Sequence, residues 1–175
     1  MKALVAVDLQ KDFIESDGAL YTPGVEKVVP EAVRLIKKFR SEGLPVIVTT
    51  DYHTPDDKEF ERWPAHCVIN TDGVELVDEV KQAISGYEKL FLIRKNRYSA
   101  MYNTELEDII EKNEIDEIHI CGLLSNICVM FTVEELMNRD YRSVVHEKAT
   151  ASNDPEMHRF AMRTIEEVLG AEVRR

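Results

Sequence analysis

Three residues able to do acid–base and nucleophilic chemistry each stand after a short apolar run of the chain: Asp8, Lys95 and Cys128. A thiol beside a carboxylate and an ammonium can lose its proton to the carboxylate and attack a carbonyl carbon. Each residue alone also has a structural interpretation, as a buried thiol, a turn-capping acid or a solvated lysine. Their equivalent positions after apolar runs favour nucleophilic catalysis by Cys128, with Asp8 as general base.

The position of Cys128 in its predicted helix strengthens this interpretation. If Ser125 is the N-cap, Cys128 is the third helical residue. The first-turn N–H groups have no partners within a helix, and the helix dipole favours negative charge there. A thiolate is stabilised in such a place, and the free N–H groups can hold a developing oxyanion.

A second group of polar residues has the composition of a metal site. Asp51 and His53 are two residues apart, so an extended chain puts both side chains on one side, and His66 returns from the following loop. Two imidazoles with one or two carboxylates suit Zn²⁺, Mn²⁺ or Fe²⁺. The pattern predicts one bound divalent ion. Zinc is the first choice, and manganese and iron are the alternatives. Glu59 is the expected fourth ligand, with Asp56, Asp57 and Glu61 as competitors.

The remaining cysteines and histidines lack a supporting pattern. Cys67 and Cys121 have no ligand partners at suitable spacing and are predicted to be structural. His119 lies in an apolar run and is expected to be a buried, hydrogen-bonded side chain. Neither His146 nor His158 belongs to a recognisable motif.

The elements that must position these residues follow an alternating pattern. Continuous apolar runs suit strands buried on both faces, as in a parallel sheet. Helical patterns between the runs imply right-handed crossovers and a three-layer α/β/α sandwich, with ligands beyond the C-terminal strand ends. The predicted strands are Leu4–Val7, Pro45–Thr50, Leu90–Ile93, Ile118–Cys121, Ser143–His146 and Ala171–Val173.

The helices have recognisable start and stop signals. Apolar spacing predicts helices from Pro30 to just before Gly43, over Val74 to Ile84, after a capping box at Thr104 and Glu107, and from Ser125 to Asn138. A last helix is expected to begin at Asn153 or Asp154 and to end before Gly170, with Met157, Phe160 and Val168 on its apolar face. The longer loops, Gln10–Gly24 and Asp51–Gly73, are expected to carry function.

Composition excludes several classes of function. The 175 residues include 22 Lys and Arg against 33 Asp and Glu, a formal charge of −11, which disfavours nucleic acid and anionic membrane surfaces as partners. No apolar run approaches the ~20 residues needed to span a bilayer. Three cysteines without a CxxC motif fit a reducing compartment, so a cytoplasmic location is expected.

Five motifs in order carry a family resemblance. They are Val7–Phe13, Asp51–His53, Trp63–Val68, Lys95–Ala100 and Gly122–Val129. Together they resemble the isochorismatase-like cysteine hydrolases, and most closely the nicotinamidase/pyrazinamidase branch. The resemblance extends over nearly the whole chain and implies a single domain over residues 1–175 built on a six-stranded parallel sheet.

The resemblance implies a role for each site residue. The catalytic triad falls on Asp8, Lys95 and Cys128. The metal ligands fall on Asp51, His53 and His66, with Glu59 at a matching distance before His66. The oxyanion hole falls on the backbone N–H groups of Leu124 and Cys128, after a cis peptide at Leu123–Leu124. The ring-binding pocket falls on Phe13, Trp63 and Tyr98.

The expected activity is hydrolysis of nicotinamide to nicotinate and ammonia through a thioester, a reaction of pyridine nucleotide salvage. The metal is expected to hold the pyridine nitrogen; a role in thioester hydrolysis is the alternative. Two other functions stay open, a hydrolase of an N-carbamoyl amide or of isochorismate, and a non-catalytic ligand-binding relic. A homo-oligomer is expected. Ser125–Asn126, Leu124 and Met101 depart from the family pattern, and Leu124 is expected to narrow the pocket.

Overall fold

A computed structural model describes residues 1–175 and contains one six-stranded, all-parallel sheet in the order β3-β2-β1-β4-β5-β6. Helices cover both faces, so the predicted three-layer α/β/α fold is confirmed. All six predicted strands form, most of them a few residues longer than the apolar runs. They are β1 (Lys2–Val7), β2 (Val46–Asp51), β3 (Leu90–Lys95), β4 (Glu117–Leu123), β5 (Arg142–Ala151) and β6 (Glu172–Arg174).

Six α-helices connect the strands, and none is long and apolar enough to cross a membrane. The helix α5 follows a π-helical turn at Ser125–Val129, and α6 continues into a second one at Thr164–Val168. Short 3₁₀ turns lie at Val25–Val28, Lys58–Glu61 and Asp72–Val74. The helices are α1 (Lys11–Ile14), α2 (Val29–Ser41), α3 (Asp78–Ile84), α4 (Leu106–Lys112), α5 (Met130–Met137) and α6 (Pro155–Arg163).

The sheet is buried on both faces because successive side chains of its strands point to opposite sides. In β1, Leu4 and Ala6 pack with α2 and α3, whereas Ala3, Val5 and Val7 pack with α4, α5 and α6. Two apolar cores of 25 and 23 buried residues result. They hold the central strands rigidly, so the residues that follow those strands have fixed positions.

The strand register brings the chemistry-bearing residues to one edge. Val7 pairs with both Thr49 of β2 and Gly122 of β4, and Asp51 pairs with Lys95. A Cβ on Gly122 would lie 2.0 Å from the Val7 carbonyl oxygen, so this close approach of β4 to β1 requires glycine. The order 3-2-1-4-5-6 puts the topological switch point between β1 and β4, where open α/β sheets bind ligands.

Some helix boundaries differ from the sequence-based expectation. The helix α4 begins at Leu106, and Glu107 pairs with Arg139 instead of closing a capping box, although Thr104 does accept the Leu106 N–H. The pattern over Val74 to Ile84 is helical only from Asp78 onward. Asp154 is confirmed as the N-cap of α6, where it accepts the N–H groups of Glu156 and Met157.

The apolar face predicted for α6 is partly wrong. Ala161 and Ile165 are buried, but Met157, Phe160 and Val168 are 42%, 57% and 73% exposed. The helix and the turn after it pack on the core through Ala161, Met162 and Ile165, and no other element covers Met157, Phe160 and Val168.

Candidate active site

Asp8, Lys95 and Cys128 meet at the C-terminal edge of the sheet, where all three are buried. The Lys95 Nζ lies 2.6 Å from Asp8 Oδ2 and 3.4 Å from Cys128 Sγ. The ammonium therefore contacts both the carboxylate and the thiol. This arrangement has the groups needed for proton transfer and nucleophilic attack within contact distance.

The Asp8 carboxylate is fixed by its neighbours on the adjacent strands. Asp8 directly follows β1 and has a φ of 51°, which turns the chain sharply at the strand end. The Thr49 hydroxyl donates to Asp8 Oδ1 at 2.7 Å, while Oδ2 faces Lys95. Thr49 is thus a positioning residue that the sequence patterns did not single out; its only signal is its place near the end of β2.

Burial and charge together set the protonation states of the triad. Burial raises the pKa of the Cys128 thiol well above its ordinary value; Lys95 opposes this shift, and Asp8 and Asp51 add to it. Burial also raises the pKa of Asp8, again against the effect of Lys95. Burial and the two carboxylates thus act against the thiolate that the helix position favoured. Attack by Sγ therefore depends on a base that removes the thiol proton.

The turn that carries Cys128 is π-helical, and its N-cap is Leu124 rather than Ser125. Cys128 is accordingly the fourth helical residue, not the third. The Leu124 carbonyl accepts the N–H groups of Ile127 and Val129 at 3.0 and 3.2 Å, but not the intervening N–H of Cys128. The Leu123–Leu124 peptide bond is cis, as the resemblance implied.

The four predicted metal ligands form one buried cluster. One ligand atom from each of Asp51, His53, Glu59 and His66 lies within 4.8 Å of the others. The Nε2 atoms of His53 and His66 lie 3.1 and 3.3 Å from Asp51 Oδ2. Asp51 ends β2, and Glu59 is carried by the 3₁₀ turn that follows. Carboxylate and imidazole donors at these separations suit a divalent ion.

The donor set fits a metal because each imidazole is oriented from its outer side. His53 Nδ1 lies 3.0 Å from Asp57 Oδ2, and His66 Nδ1 lies 2.8 Å from the Pro64 carbonyl oxygen. Each contact fixes Nδ1 as the N–H donor and leaves Nε2 for ligation. His53 Nε2 and Glu59 Oε2 are buried without a hydrogen-bond partner. Unpaired buried polar atoms are costly, and a bound cation would satisfy both.

An apolar cleft opens beside the Cys128 thiol and the four predicted metal ligands, which are called the acidic cluster below (Asp51, His53, Glu59 and His66). All three predicted ring-binding residues line it, and the indole N–H of Trp63 donates to the Tyr98 hydroxyl at 3.0 Å. The free space is about 30 Å³, so a ring-sized ligand requires the lining side chains to move. Leu124 lines this narrow space, in line with expectation. The lining is Phe13, Leu20, Asp51, Glu59, Trp63, His66, Tyr98, Leu124, Ile127 and Cys128.

Two further residues brace the acidic cluster without lining the cleft. The buried Gln10 amide donates to the Asp51 and Val74 carbonyls, each at 2.8 Å, and accepts the Asp51 N–H. Asp57, weighed above as a competing ligand, instead bridges His53 and Arg97. Gln10 could have been suspected from its position two residues after Asp8, but its contacts depend on the loop path.

The residues predicted to be structural lie outside this cluster of polar groups. Cys121 is fully buried in β4, and burial raises its pKa to about 12. His119 is buried and hydrogen-bonded, as expected. His158 contacts the Ser125 hydroxyl at 2.9 Å.

This fold and site define a class of hydrolase, and a family model for the Isochorismatase domain matches residues 2–174. The chain belongs to the isochorismatase family and is a hydrolase. It is similar to the crystal structure of a nicotinamidase/pyrazinamidase from Bacillus subtilis, with 30% identity, a TM-score of 0.94 and 99% of each chain covered.

Two other solved structures bear on the site. A Pyrococcus horikoshii pyrazinamidase in complex with zinc is similar at 28% identity and a TM-score of 0.90, covering 99% of this chain and 98% of that one. A Thermoplasma acidophilum N-carbamoylsarcosine amidase is similar at 37% identity and a TM-score of 0.88, covering 99% of this chain and 95% of that one.

Proposed function

We propose that this protein is a metal-assisted amidase that hydrolyses nicotinamide to nicotinate and ammonia. One observation carries the proposal: a single apolar cleft is lined by Cys128 and by three of the four predicted metal ligands. Those three are Asp51, Glu59 and His66. A nucleophile at one wall and a ring-nitrogen anchor at the other suit a flat aromatic amide. The reaction belongs to pyridine nucleotide salvage, for which a cytoplasmic location is expected.

The first half of the reaction forms a thioester. Asp8 takes the proton of the neutral Cys128 thiol as Sγ attacks the carboxamide carbon. The backbone N–H groups of Leu124 and Cys128 hold the oxyanion that develops on the carbonyl oxygen. Asp8 then returns the proton to the amide nitrogen, the C–N bond breaks, and ammonia leaves. Lys95 balances the negative charge that passes between Asp8 and Cys128.

The second half regenerates the thiol. Water replaces ammonia, and Asp8 removes one of its protons as the oxygen attacks the thioester carbon. The same N–H groups hold the second oxyanion. The C–S bond breaks, Asp8 returns its proton to Sγ, and the carboxylic acid loses its remaining proton to water and leaves the cleft as nicotinate. Asp8 therefore alternates between base and acid in both halves.

The acidic cluster has a binding role in this scheme. Asp51, His53, Glu59 and His66 would hold a divalent ion, which would supply a Lewis acid for the pyridine nitrogen. Phe13, Trp63 and Tyr98 contact the ring faces and exclude water. The similarity to a pyrazinamidase solved with zinc supports zinc as the ion.

The second candidate is hydrolysis of an N-carbamoyl amide, favoured by the 37% identity to an N-carbamoylsarcosine amidase. The cleft lining favours nicotinamide instead, because seven of its ten residues are hydrophobic. Phe13, Trp63 and Tyr98 offer aromatic surfaces that suit a pyridine ring, which neither N-carbamoylsarcosine nor isochorismate has.

A substrate panel separates the candidates. Zinc-loaded protein is incubated with nicotinamide, N-carbamoylsarcosine and isochorismate, and ammonia and the organic products are measured. The proposal predicts the highest kcat/KM for nicotinamide. Preferred turnover of N-carbamoylsarcosine would reassign the substrate, and no turnover on the panel would favour a non-catalytic ligand-binding protein.

A further inference from the structure

A basic groove lies on the α2 side of the sheet and shares no lining residue with the cleft. Five of its nine lining residues are Lys or Arg and one is a carboxylate, in a chain of formal charge −11. It encloses about 250 Å³. The lining is Glu31, Arg34, Leu35, Lys38, His146, Lys148, Ala149, Arg174 and Arg175.

An irregularity in the sheet builds one wall of the basic groove. In the β4–β5 ladder, Ile120 pairs with Val145 and Gly122 pairs with Thr150, so residues 146–149 of β5 face a single residue of β4. Such bulges redirect side chains and are common next to functional sites. Here the bulged segment presents His146 and Lys148 to the groove.

A buried relay of polar side chains ends at this bulge. The Glu117 carboxylate faces His119 Nε2 at 2.8 Å, and His119 Nδ1 faces His146 Nε2 at 2.8 Å. Hydrogen bonding from Lys2, with support from His119 and Arg142, lowers the pKa of Glu117 to about 2. An ionised Glu117 accepts from His119 Nε2–H, so His119 Nδ1 accepts from His146 Nε2–H. His146 Nδ1 then has a free lone pair and no protein partner.

The cations of the basic groove are incompletely neutralised. Lys148 has no carboxylate within 4 Å, and the nearest carboxylate to Lys38, that of Glu42, is 4.0 Å away. Arg34, Arg174 and Arg175 each pair with a glutamate at 2.6–2.8 Å, but their side chains are 41–59% exposed, so each guanidinium has further N–H groups open to a phosphate. Burial, His119 and the neighbouring Arg174, Arg34 and Lys38 lower the pKa of His146 to about 4. The charges thus create a positive potential at His146.

We propose that the basic groove binds a small phosphorylated compound through Arg34, Lys38, Lys148 and Arg174, with His146 Nδ1 accepting a hydrogen bond from a protonated phosphate oxygen. Arginine and lysine side chains bind phosphate through charge-assisted hydrogen bonds. The lining has only two apolar residues, Leu35 and Ala149, and no Phe, Tyr or Trp on which a base could stack. A compact phosphate monoester therefore fits better than a nucleotide.

Calorimetry with glycerol 3-phosphate tests the proposal on the zinc-loaded protein at low ionic strength. Inorganic phosphate shows whether the ester group contributes, and glycerol is the uncharged control. We expect saturable binding of the ester or of phosphate, sulfate binding at least about tenfold weaker, and none of glycerol. Absence of saturable binding, or equal affinity for sulfate, would overturn the proposal.

Matched variants locate the site. Lys148→Gln and Arg34→Gln each remove one groove charge, and Lys112→Gln removes one from α4 on the other face of the sheet. Loss of one charge-assisted bond should weaken binding about tenfold in the first two and leave Lys112→Gln unchanged. In NMR spectra, the His146 ring signals should shift on titration while those of His158 stay fixed. Equal weakening in all three variants would contradict the assignment.

Discussion

The Lys95 ammonium and the Asp51 carboxylate form a buried ion pair, with Nζ 3.1 Å from Oδ1. Lys95 also contacts Asp8 and Cys128, and Asp51 also faces His53 and His66. The pair therefore joins the proposed nucleophilic centre to the proposed metal centre. Although burial opposes ionisation, Lys95 holds the pKa of Asp51 far below its ordinary value, so the carboxylate is always available as a ligand.

Removal of the Lys95 charge should damage both stability and chemistry. Lys95→Met leaves Asp8 and Asp51 buried without their shared cation, and breaking a buried pair costs about 3–5 kcal/mol. Denaturant unfolding should show this loss, and nicotinamide hydrolysis should fall in parallel. Lys89→Met, at an ammonium that bonds only the Gly43 carbonyl at the surface, is the control and should change neither. A fully stable Lys95→Met protein would contradict the charge balance described here.

Asp8→Asn should lower kcat for nicotinamide by roughly 10²–10⁴-fold, the usual effect of removing a general base. Asparagine keeps the shape of the side chain but cannot take the thiol proton. Thr49→Val removes the hydroxyl that donates to Asp8 Oδ1 and accepts the Asp8 N–H, but it leaves the base in place, so its effect should be much smaller. If Thr49→Val were as inactive as Asp8→Asn, the site would depend on geometry rather than on the base.

The raised pKa of the Cys128 thiol predicts slow alkylation. Because burial raises the pKa of this thiol, its reaction with iodoacetamide should be slow at neutral pH and should accelerate as pH rises. Lys95 lowers the thiol pKa, so Lys95→Met should slow alkylation further at each pH. Mass mapping of the Cys128 peptide provides the rate. Rapid, pH-independent labelling would show a resting thiolate instead.

Asp57 should tune metal affinity through His53. Asp57→Asn weakens the partner that fixes the His53 ring, and such changes typically cost 10–100-fold in metal affinity. Competition with a zinc chelator measures the change. Asp56→Asn alters the neighbouring carboxylate, which is exposed, and should leave affinity unchanged. Equal affinities in the two variants would remove Asp57 from the metal site.

The sequence predicted most of the site because strand ends are readable from apolar runs. Asp8 follows β1, Lys95 ends β3 and Cys128 lies in the turn after β4, and the parallel register then brings them to one edge. The protonation of Cys128 could not be read in this way, since it depends on burial and on three neighbouring charges. The sequence also did not reveal the π-helical turn, whose N-cap is Leu124.

The contacts made by loop residues could not be predicted from the sequence either. Asp57 is the N-cap of the short 3₁₀ turn that carries Glu59. Only the folded turn shows that Asp57 faces His53 Nδ1 and that Glu59 joins the metal-ligand group. The exposed face of α6 was misjudged for a related reason: periodicity marks an apolar stripe, but not how much of it a neighbouring element covers.

The central claim is that Cys128 hydrolyses nicotinamide with the help of a bound metal. Steady-state hydrolysis of nicotinamide tests it most directly when three samples are compared: zinc-loaded protein, chelator-stripped protein and zinc-loaded Cys128→Ala. The account predicts equal amounts of nicotinate and ammonia from the first, a strong loss in the second that added zinc reverses, and a loss on the order of 10⁴-fold or more in the third. Cys128→Ala should retain its zinc and its fold. Sustained turnover by Cys128→Ala, or undiminished activity without metal, would contradict the account.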